Sequence, residues 1–137
     1  MTSLDKIVLI KEPTADSEGL VMVEAGVFGD KLDEFLKQKG FTHGHYPASL
    51  TISTIAGNTV TCSNGIFSLF FGNIENLVLA VEGVNGNGQL VKLEGDNLKR
   101  VFRTEGSTMI VTRVWLKVFK IPAHDYFLSF RFDHIGE

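Results

Sequence analysis

The stretch from Gly40 to Ile74 constrains this chain most, because its 35 residues include no Asp, Glu, Lys or Arg. Ser, Thr, Gly and Asn recur through it, which is not the composition of a membrane-spanning helix. An ordinary solvated loop of this length would carry charges, and polar groups that are buried need hydrogen-bond partners. Two interpretations follow. The stretch is either a buried loop that satisfies its own polar groups, or a surface where hydroxyls and glycines let the backbone approach a flat ligand.

Length and charge narrow the class of protein. A chain of 137 residues fits one domain, and its net charge of −3 gives no electrostatic basis for binding nucleic acid. No segment predicts a signal peptide or a transmembrane span. Cys62 is the single cysteine, which excludes an internal disulfide and a cysteine zinc cluster and favours a reducing, cytoplasmic location.

The first 40 residues predict a hairpin followed by a helix. Ile7–Ile10 is expected to form a short buried strand, and Leu20–Glu24 its partner, with polar turn residues between them. Asp30–Lys39 is expected to be a helix with Asp30 as its N-cap and Gly40 just after its end. The buried face of this helix would carry Phe28, Leu32, Phe35 and Leu36.

The remainder of the chain predicts an α+β fold, mostly antiparallel sheet flanked by helices. Apolar runs and alternation predict four more strands: Leu77–Val84, Gln89–Leu93, Ile110–Phe119 and Tyr126–Phe132. Asn85–Gly88 predicts a hairpin turn between the first two of them, because Asn and Gly tolerate positive φ. Thr54–Cys62 and Asp96–Phe102 are weaker helix candidates.

Few side chains predict chemistry on their own. His43 and His45 flank Gly44 and would suit a metal if both lay on one side of a strand, but no third ligand follows at a recognisable spacing. No motif marks a base for Cys62, so a small buried hydrophobic role is favoured over that of a nucleophile. Gly86-Asn87-Gly88 lacks the third glycine and the helix of a phosphate loop.

Several segments occur in the order in which one known family has them. They are Val23–Val27 (VEAGV), Gly44–Ser49 (GHYPAS), Ser53–Asn58 (STIAGN), Ser63–Gly65 (SNG), Phe71–Val78 (FGNIENLV) and Glu105–Thr112 (EGSTMIVT). Through them, the chain from Val23 to Pro122 resembles the vanillyl-alcohol-oxidase, or PCMH-type, family of FAD-linked oxidases. That family includes glycolate oxidase and D-lactate dehydrogenase subunits and alkyldihydroxyacetonephosphate synthase. The segment Phe71–Val78 favours the synthase branch.

The resemblance implies a partial FAD-binding domain. Residues 1–122 would form the second subdomain, which packs on the isoalloxazine end of FAD, without the subdomain whose glycine-rich loop binds the pyrophosphate. Residues 123–137 would be the first strand of a missing C-terminal cap domain. A homodimer or a companion subunit would supply the missing regions. The chain alone is expected to be inactive and to bind FAD weakly or not at all.

The resemblance also implies where the cofactor would lie. The cofactor-binding positions it implies are Pro47, Ala48, Ser49, Leu50, Thr51, Ile52, Ser53, Thr54, Gly57, Asn58, Thr61, Cys62, Ser63, Asn64, Gly65, Glu105, Gly106, Ser107, Thr108, Met109, Ile110 and Val111. Backbone N–H groups and hydroxyls at these positions would bond the polar edge of the flavin ring. No catalytic residue and no metal ligand is implied.

The implied function is that of an FAD-linked oxidoreductase acting on a 2-hydroxy acid or a related CH–OH substrate, or of an alkyldihydroxyacetonephosphate synthase-like flavoenzyme. The alternative is a non-enzymatic remnant or interaction subunit that binds no flavin on its own. Ala56 and Met109 stand where the family has glycines. A methionine at 109 would fill space against the flavin, so Met109→Gly would strengthen flavin binding.

Overall fold

The computed structural model describes residues 4–124, 126 and 128–132. Its sheet contains β1 (Ile7–Lys11), β2 (Gly19–Glu24), β3 (Phe41–Thr42), β4 (Val78–Asn85), β5 (Leu90–Glu94) and β6 (Met109–Lys120). The strand order is β1-β2-β6-β4-β5, all pairs are antiparallel, and β3 pairs with the end of β6. The predicted α+β class is confirmed, and both predicted hairpins are present.

Helices cover one face of this sheet. They are α1 (Gly29–Lys37), α2 (Ile55–Thr61), α3 (Ser68–Phe71), α4 (Ile74–Leu77) and a 3₁₀ helix (Gly95–Arg100). Leu32 and Leu36 of α1 and Ile55 of α2 belong to the buried core under the sheet. Within the described part of the chain, no helix has the length and apolarity needed to cross a bilayer.

The long strand β6 organises the core. Val114, Leu116 and Val118 are fully or almost fully buried, as the alternation predicts. The pairing with β4 shifts register at Glu82 and Gly83, so that Glu82 pairs with Arg113 but Gly83 pairs with Val111. This irregularity, a β-bulge, keeps residues 109 and 111 on the core side although their numbers are odd.

The first strand differs from its prediction. β1 lies at the edge of the sheet, and Val8 and Ile10 are 44% and 52% exposed, so the strand is not buried. An apolar run cannot show whether a strand is covered on one face or on two, because that depends on its neighbours in space.

The first helix differs from its prediction at the N-terminus. α1 begins at Gly29 with Phe28 as its N-cap residue, so Asp30 is not the cap. Phe28 is 42% exposed and does not share the buried face with Leu32 and Leu36. Asp33, one turn further along α1, is buried.

The last predicted strand, Tyr126–Phe132, is not present in the described residues of that segment. Residues 126 and 128–132 belong to no strand, and Tyr126, Leu128, Phe130 and Phe132 are all at least two-thirds exposed. Of the other residues in the predicted segment 123–137, the structure describes only Ala123 and His124, and the remaining ones lie outside the described residues. That this part begins a further domain remains a prediction.

Candidate functional site

The predicted site segment 47–54 lies against the start of α1. The backbone carbonyls of Leu50 and Ser53 accept hydrogen bonds from the N–H groups of Asp30 and Gly29, each at 3.1 Å. A Cβ atom on Gly29 would lie 2.9 Å from the backbone oxygen of Leu50, so this close approach requires a glycine. The contacts hold the segment as a series of turns that exposes Ala48, Thr51 and Ile52.

The segment ends in the N-cap of α2. Thr54 Oγ1 accepts a hydrogen bond from the N–H of Gly57 at 3.1 Å, which satisfies one of the free donors of the first turn. Ser49 Oγ and Ser53 Oγ lie 3.0 Å apart, and Ser53 Oγ also donates to the carbonyl of Ser49. These three hydroxyl groups are therefore already engaged within the protein.

Asn58 in α2 has a buried amide group that lacks a partner. The side chain is 3% exposed, and Nδ2 makes no hydrogen bond to any described residue. A buried donor that stays unpaired costs about 1–3 kcal/mol, so native proteins nearly always supply it with an acceptor. Asn58 is one of the predicted cofactor-binding residues, and that role remains a prediction.

His43 and His45 are buried side by side, each 1% exposed. His43 Nδ1 accepts a hydrogen bond from the backbone N–H of His45 at 3.2 Å, so the proton of the neutral His43 ring is on Nε2. His45 Nε2 lies 2.9 Å from Ser63 Oγ. Neither His43 Nε2 nor His45 Nδ1 has a partner among the described residues.

Burial sets the charge of these two rings. Loss of hydration lowers the pKa of His43 to about 4, with the nearby His45 and Lys37 lowering it further and Asp33 opposing them. The same burial lowers the pKa of His45 to about 4. Both rings are therefore neutral at pH 7. Across the described residues no group of three His, Cys, Asp or Glu side chains is placed to hold a metal ion.

Tyr46 anchors the loop that carries the histidines. Its hydroxyl donates to Asp33 Oδ1 at 2.5 Å and lies 2.9 Å from Thr42 Oγ1. Lys37 closes the cluster with an ion pair to Asp33 Oδ2 at 2.8 Å. Burial, together with the bond to Asp33, raises the pKa of Tyr46 to about 12. Sequence reasoning missed this cluster, because an acidic residue of a surface helix ordinarily faces water.

The segment from 105 to 108 meets the C-terminal end of α2. The N–H groups of Thr104 and Glu105 both donate to the carbonyl of Val60, at 3.1 and 3.2 Å. Cys62, Arg103 and Glu105 are the non-glycine residues of the described chain with positive φ, at 54°, 60° and 53°. Such backbone conformations are costly and cluster at functional sites, which marks this corner as a candidate.

Cys62 lies at the same corner and is half-buried. Burial, more than any other effect, raises the pKa of its thiol. The thiol donates a long hydrogen bond to the carbonyl of Thr59 at 3.6 Å. A thiol kept protonated is a poor nucleophile, which agrees with the structural role favoured from the sequence.

Met109 and its neighbours separate from the rest of the predicted site. The Met109 side chain is 7% exposed and belongs to the core, while Ile110 is 73% exposed on the opposite face of the sheet. Val111 also packs against the core. The structure thus brings together segments 47–54, 57–65 and 105–108. The side chains of Met109 and Val111 instead pack in the core, and that of Ile110 faces solvent.

This chain is similar in sequence to several known proteins. The sequence family described as "FAD binding domain" matches residues 1–94. Alkyldihydroxyacetonephosphate synthase of Caenorhabditis elegans is 35% identical over 98% of this chain and 23% of its own length. The glycolate oxidase subunit GlcD of Bacillus subtilis is 31% identical over 78% of this chain and 25% of its own length.

Solved structures agree with these relatives. A structure of alkyldihydroxyacetonephosphate synthase superimposes with a TM-score of 0.79 and 25% identity, over 90% of this chain and 23% of the other. The fold and the site therefore define an FAD-binding domain. The chain belongs to the FAD binding domain family, its cofactor is FAD, and it spans about a quarter of the length of the relatives it matches.

The residues present fit the flavin end of that cofactor. The unpaired donor of Asn58 and the unpaired ring nitrogen of His45 are buried polar atoms of the kind that a ligand with carbonyls and ring nitrogens would engage. Arg103, beside the site, is already in an ion pair with Glu75 at 3.1 Å. The described site therefore offers polar atoms suited to a flat heterocycle.

Proposed function

We propose that this chain is the flavin-ring side of the FAD-binding domain of a flavoenzyme. The enzyme is an FAD-linked oxidoreductase for a 2-hydroxy acid or a related CH–OH substrate, or an alkyldihydroxyacetonephosphate synthase-like protein. The names of the relatives support both classes, and they favour a flavoenzyme over an interaction module without flavin. FAD, when bound, supplies the electron-accepting chemistry, and the protein supplies binding, orientation and electrostatics. We further propose a cytoplasmic location.

The unpaired amide of Asn58 is the observation that carries this proposal. Asn58 lies in α2, between the predicted site segments 47–54 and 105–108. Both ends of this helix carry predicted cofactor contacts. A donor buried without a partner is costly in a structural loop and useful in a ligand site, because a ligand acceptor removes the cost. The flavin ring carries carbonyl oxygens and ring nitrogens that can accept such bonds.

Calorimetric titration with FAD and with riboflavin tests which part of the cofactor this chain holds. If only the ring end is bound here, riboflavin, which lacks the pyrophosphate and the adenosine, will bind as well as FAD, and both will bind weakly. Backbone and charged donors to phosphate groups normally supply much of the anchoring of a dinucleotide. Sub-micromolar binding of FAD with much weaker binding of riboflavin would contradict the proposal.

Replacing Asn58 separates a ligand role from a structural one. We expect Asn58→Ala to weaken riboflavin binding by roughly tenfold, the cost of one lost hydrogen bond to a ligand. The folded protein should lose little stability, because the amide Nδ2 makes no bond within it. Asn97→Ala, at an exposed asparagine of the 3₁₀ helix, is the matched control and should change neither quantity. If the two variants bind riboflavin with equal affinity, Asn58 does not contact the ligand.

We also propose that the chain associates, either with itself or with a companion subunit. No residue of α3 is buried, and the apolar surface around it is exposed: Ile66, Phe67, Leu69 and Phe70. Contiguous apolar patches of this kind usually mark interaction surfaces.

Size exclusion with light scattering should give a mass above 15.1 kDa. The double variant Leu69→Ser, Phe70→Ser should have the mass of a single chain. A wild-type protein that is monomeric in this measurement would contradict self-association.

A further inference from the structure

The chain contains three Asn-Gly steps, at Asn64-Gly65, Asn85-Gly86 and Asn87-Gly88. In such a step, the backbone nitrogen of the glycine can attack the side-chain Cγ of the asparagine, because glycine has no Cβ atom in the way. The reaction needs free rotation of the asparagine side chain and backbone. The three steps have the same chemistry, so their surroundings in the fold decide which of them reacts.

The step at Asn64 is held by its surroundings. The N–H of Gly65, which would be the nucleophile, donates to Ser68 Oγ at 2.9 Å. The Gly65 backbone is packed so closely that a Cβ atom there would lie 2.6 Å from the backbone nitrogen of Tyr46. Rotation about this step therefore requires a local opening of the candidate site.

The step at Asn85 is held by its own side chain. Asn85 Oδ1 accepts hydrogen bonds from the N–H groups of Asn87 and Gln89, at 2.9 and 3.0 Å. Asn85 Nδ2 donates to Gln89 Oε1 at 3.3 Å. All three bonds stabilise the turn, and the side chain must break them before Cγ can turn towards Gly86.

The step at Asn87 is free by comparison. Asn87 is exposed at the tip of the β4–β5 hairpin, and its side chain makes no hydrogen bond to another described residue. The N–H of Gly88 has one bond, to the carbonyl of Asn85 at 2.9 Å. A Cβ atom on Gly88 would meet nothing within 4 Å, so neither packing nor a side chain restrains this residue. Exposed loop tips with small residues open most easily.

We propose that Asn87 is a site of spontaneous deamidation, and that the fold protects Asn64 and Asn85. The bond from Gly88 N to Asn87 Cγ forms, the bond from Cγ to Nδ2 breaks, and ammonia leaves, which closes a succinimide ring. Water then opens the ring at either carbonyl, giving aspartate or isoaspartate, and no oxidant or reductant takes part. The product carries one more negative charge than the net −3 of the sequence. Isoaspartate also adds one backbone atom to the hairpin tip.

Ageing the folded full chain in mildly alkaline buffer, followed by peptide mapping, tests this proposal. All three steps lie in one tryptic peptide, residues 40–92, because no Lys or Arg occurs between Lys39 and Lys92. Each step is thus an internal control for the others. Electron-based fragmentation distinguishes aspartate from isoaspartate. We expect the mass gain of an amide converted to an acid at Asn87, with Asn64 and Asn85 slower by roughly tenfold or more.

Two controls make the outcome decisive. In denaturant all three steps should react at comparable rates, which shows that the selectivity comes from the fold. Asn87→Ser, at an exposed position, should abolish the early mass gain without altering the slow reaction at the other two steps. Equal rates at all three steps in the folded chain, or a faster reaction at Asn64 or Asn85, would overturn the proposal.

Discussion

Lowering the pH from 6.5 to 4 is expected to remove a large part of the stability of this fold. His43 and His45 are buried and neutral, and each has a pKa of about 4 in the folded chain against 6.5 in an unfolded one. The unfolded state therefore binds more protons throughout this interval, so the free energy of unfolding falls as the pH falls. At pH 4 each ring lowers the free energy of unfolding by about 3 kcal/mol, because one unit of pKa difference corresponds to about 1.4 kcal/mol. The whole stability of a domain is only about 5–15 kcal/mol.

Urea titrations across this pH interval, with and without the two rings, measure the effect. The double variant His43→Asn, His45→Asn is expected to be less stable at neutral pH but to have a shallower dependence of unfolding free energy on pH. The difference in slope between the two proteins measures the contribution of the histidines. Equal slopes would show that the imidazoles do not remain uncharged in the folded state.

Truncating Met109 is expected to destabilise the fold strongly, rather than to improve flavin binding. The Met109 side chain is 7% exposed in the core beneath the β4–β5 hairpin. A Cβ atom on Gly83 would lie 2.7 Å from Met109 Cε, so Gly83 leaves the room that this side chain fills. Replacing a buried methionine by alanine costs about 2–5 kcal/mol, and replacing it by glycine in a strand costs about 1 kcal/mol more.

Ile110→Ala is the matched control for Met109→Ala. It removes a side chain of similar size from the next position of the same strand, but one that is 73% exposed. We expect a change of about 0.5 kcal/mol or less in the unfolding free energy. Thermal or urea denaturation of the two variants measures both values. If Met109→Gly instead has wild-type stability and binds riboflavin more tightly, Met109 lies against the flavin and not in the core.

The strands were the most predictable part of this fold. The alternation of Val114, Leu116 and Val118 is a local signal, and the structure confirms it as a buried face. The turn at Asn85–Gly88 is equally local, because its conformation depends on residue types that tolerate positive φ. The short strand β3 carries no such signal, since two residues cannot display a period. Its pairing with Phe119 and Lys120 depends on contacts distant in sequence.

The position of the candidate site remains a prediction, and several details of its structure could not be predicted from the sequence. Resemblance located Asn58, and the structure adds that its amide donor is unpaired. The burial of His43 and His45 was not predictable, because a histidine beside a glycine gives no indication of what covers it. The bond from Tyr46 to Asp33 joins a loop to a helix, and no local pattern reports such a contact. Met109 illustrates the reverse case, in which a motif position suggested a ligand contact and the bulge in β4–β6 places the side chain in the core.

The central position of β6 determines when this fold can form during synthesis. β2 and β4 are not paired with each other, and each pairs with β6 from one side. A nascent chain that lacks residues 109–120 therefore has two separate hairpins with exposed apolar faces. Contacts such as that between Glu18 and Lys117, 99 residues apart, form late and make folding slow. While the ribosome is still adding β6, these uncovered faces are the ones that a chaperone would bind or that would aggregate.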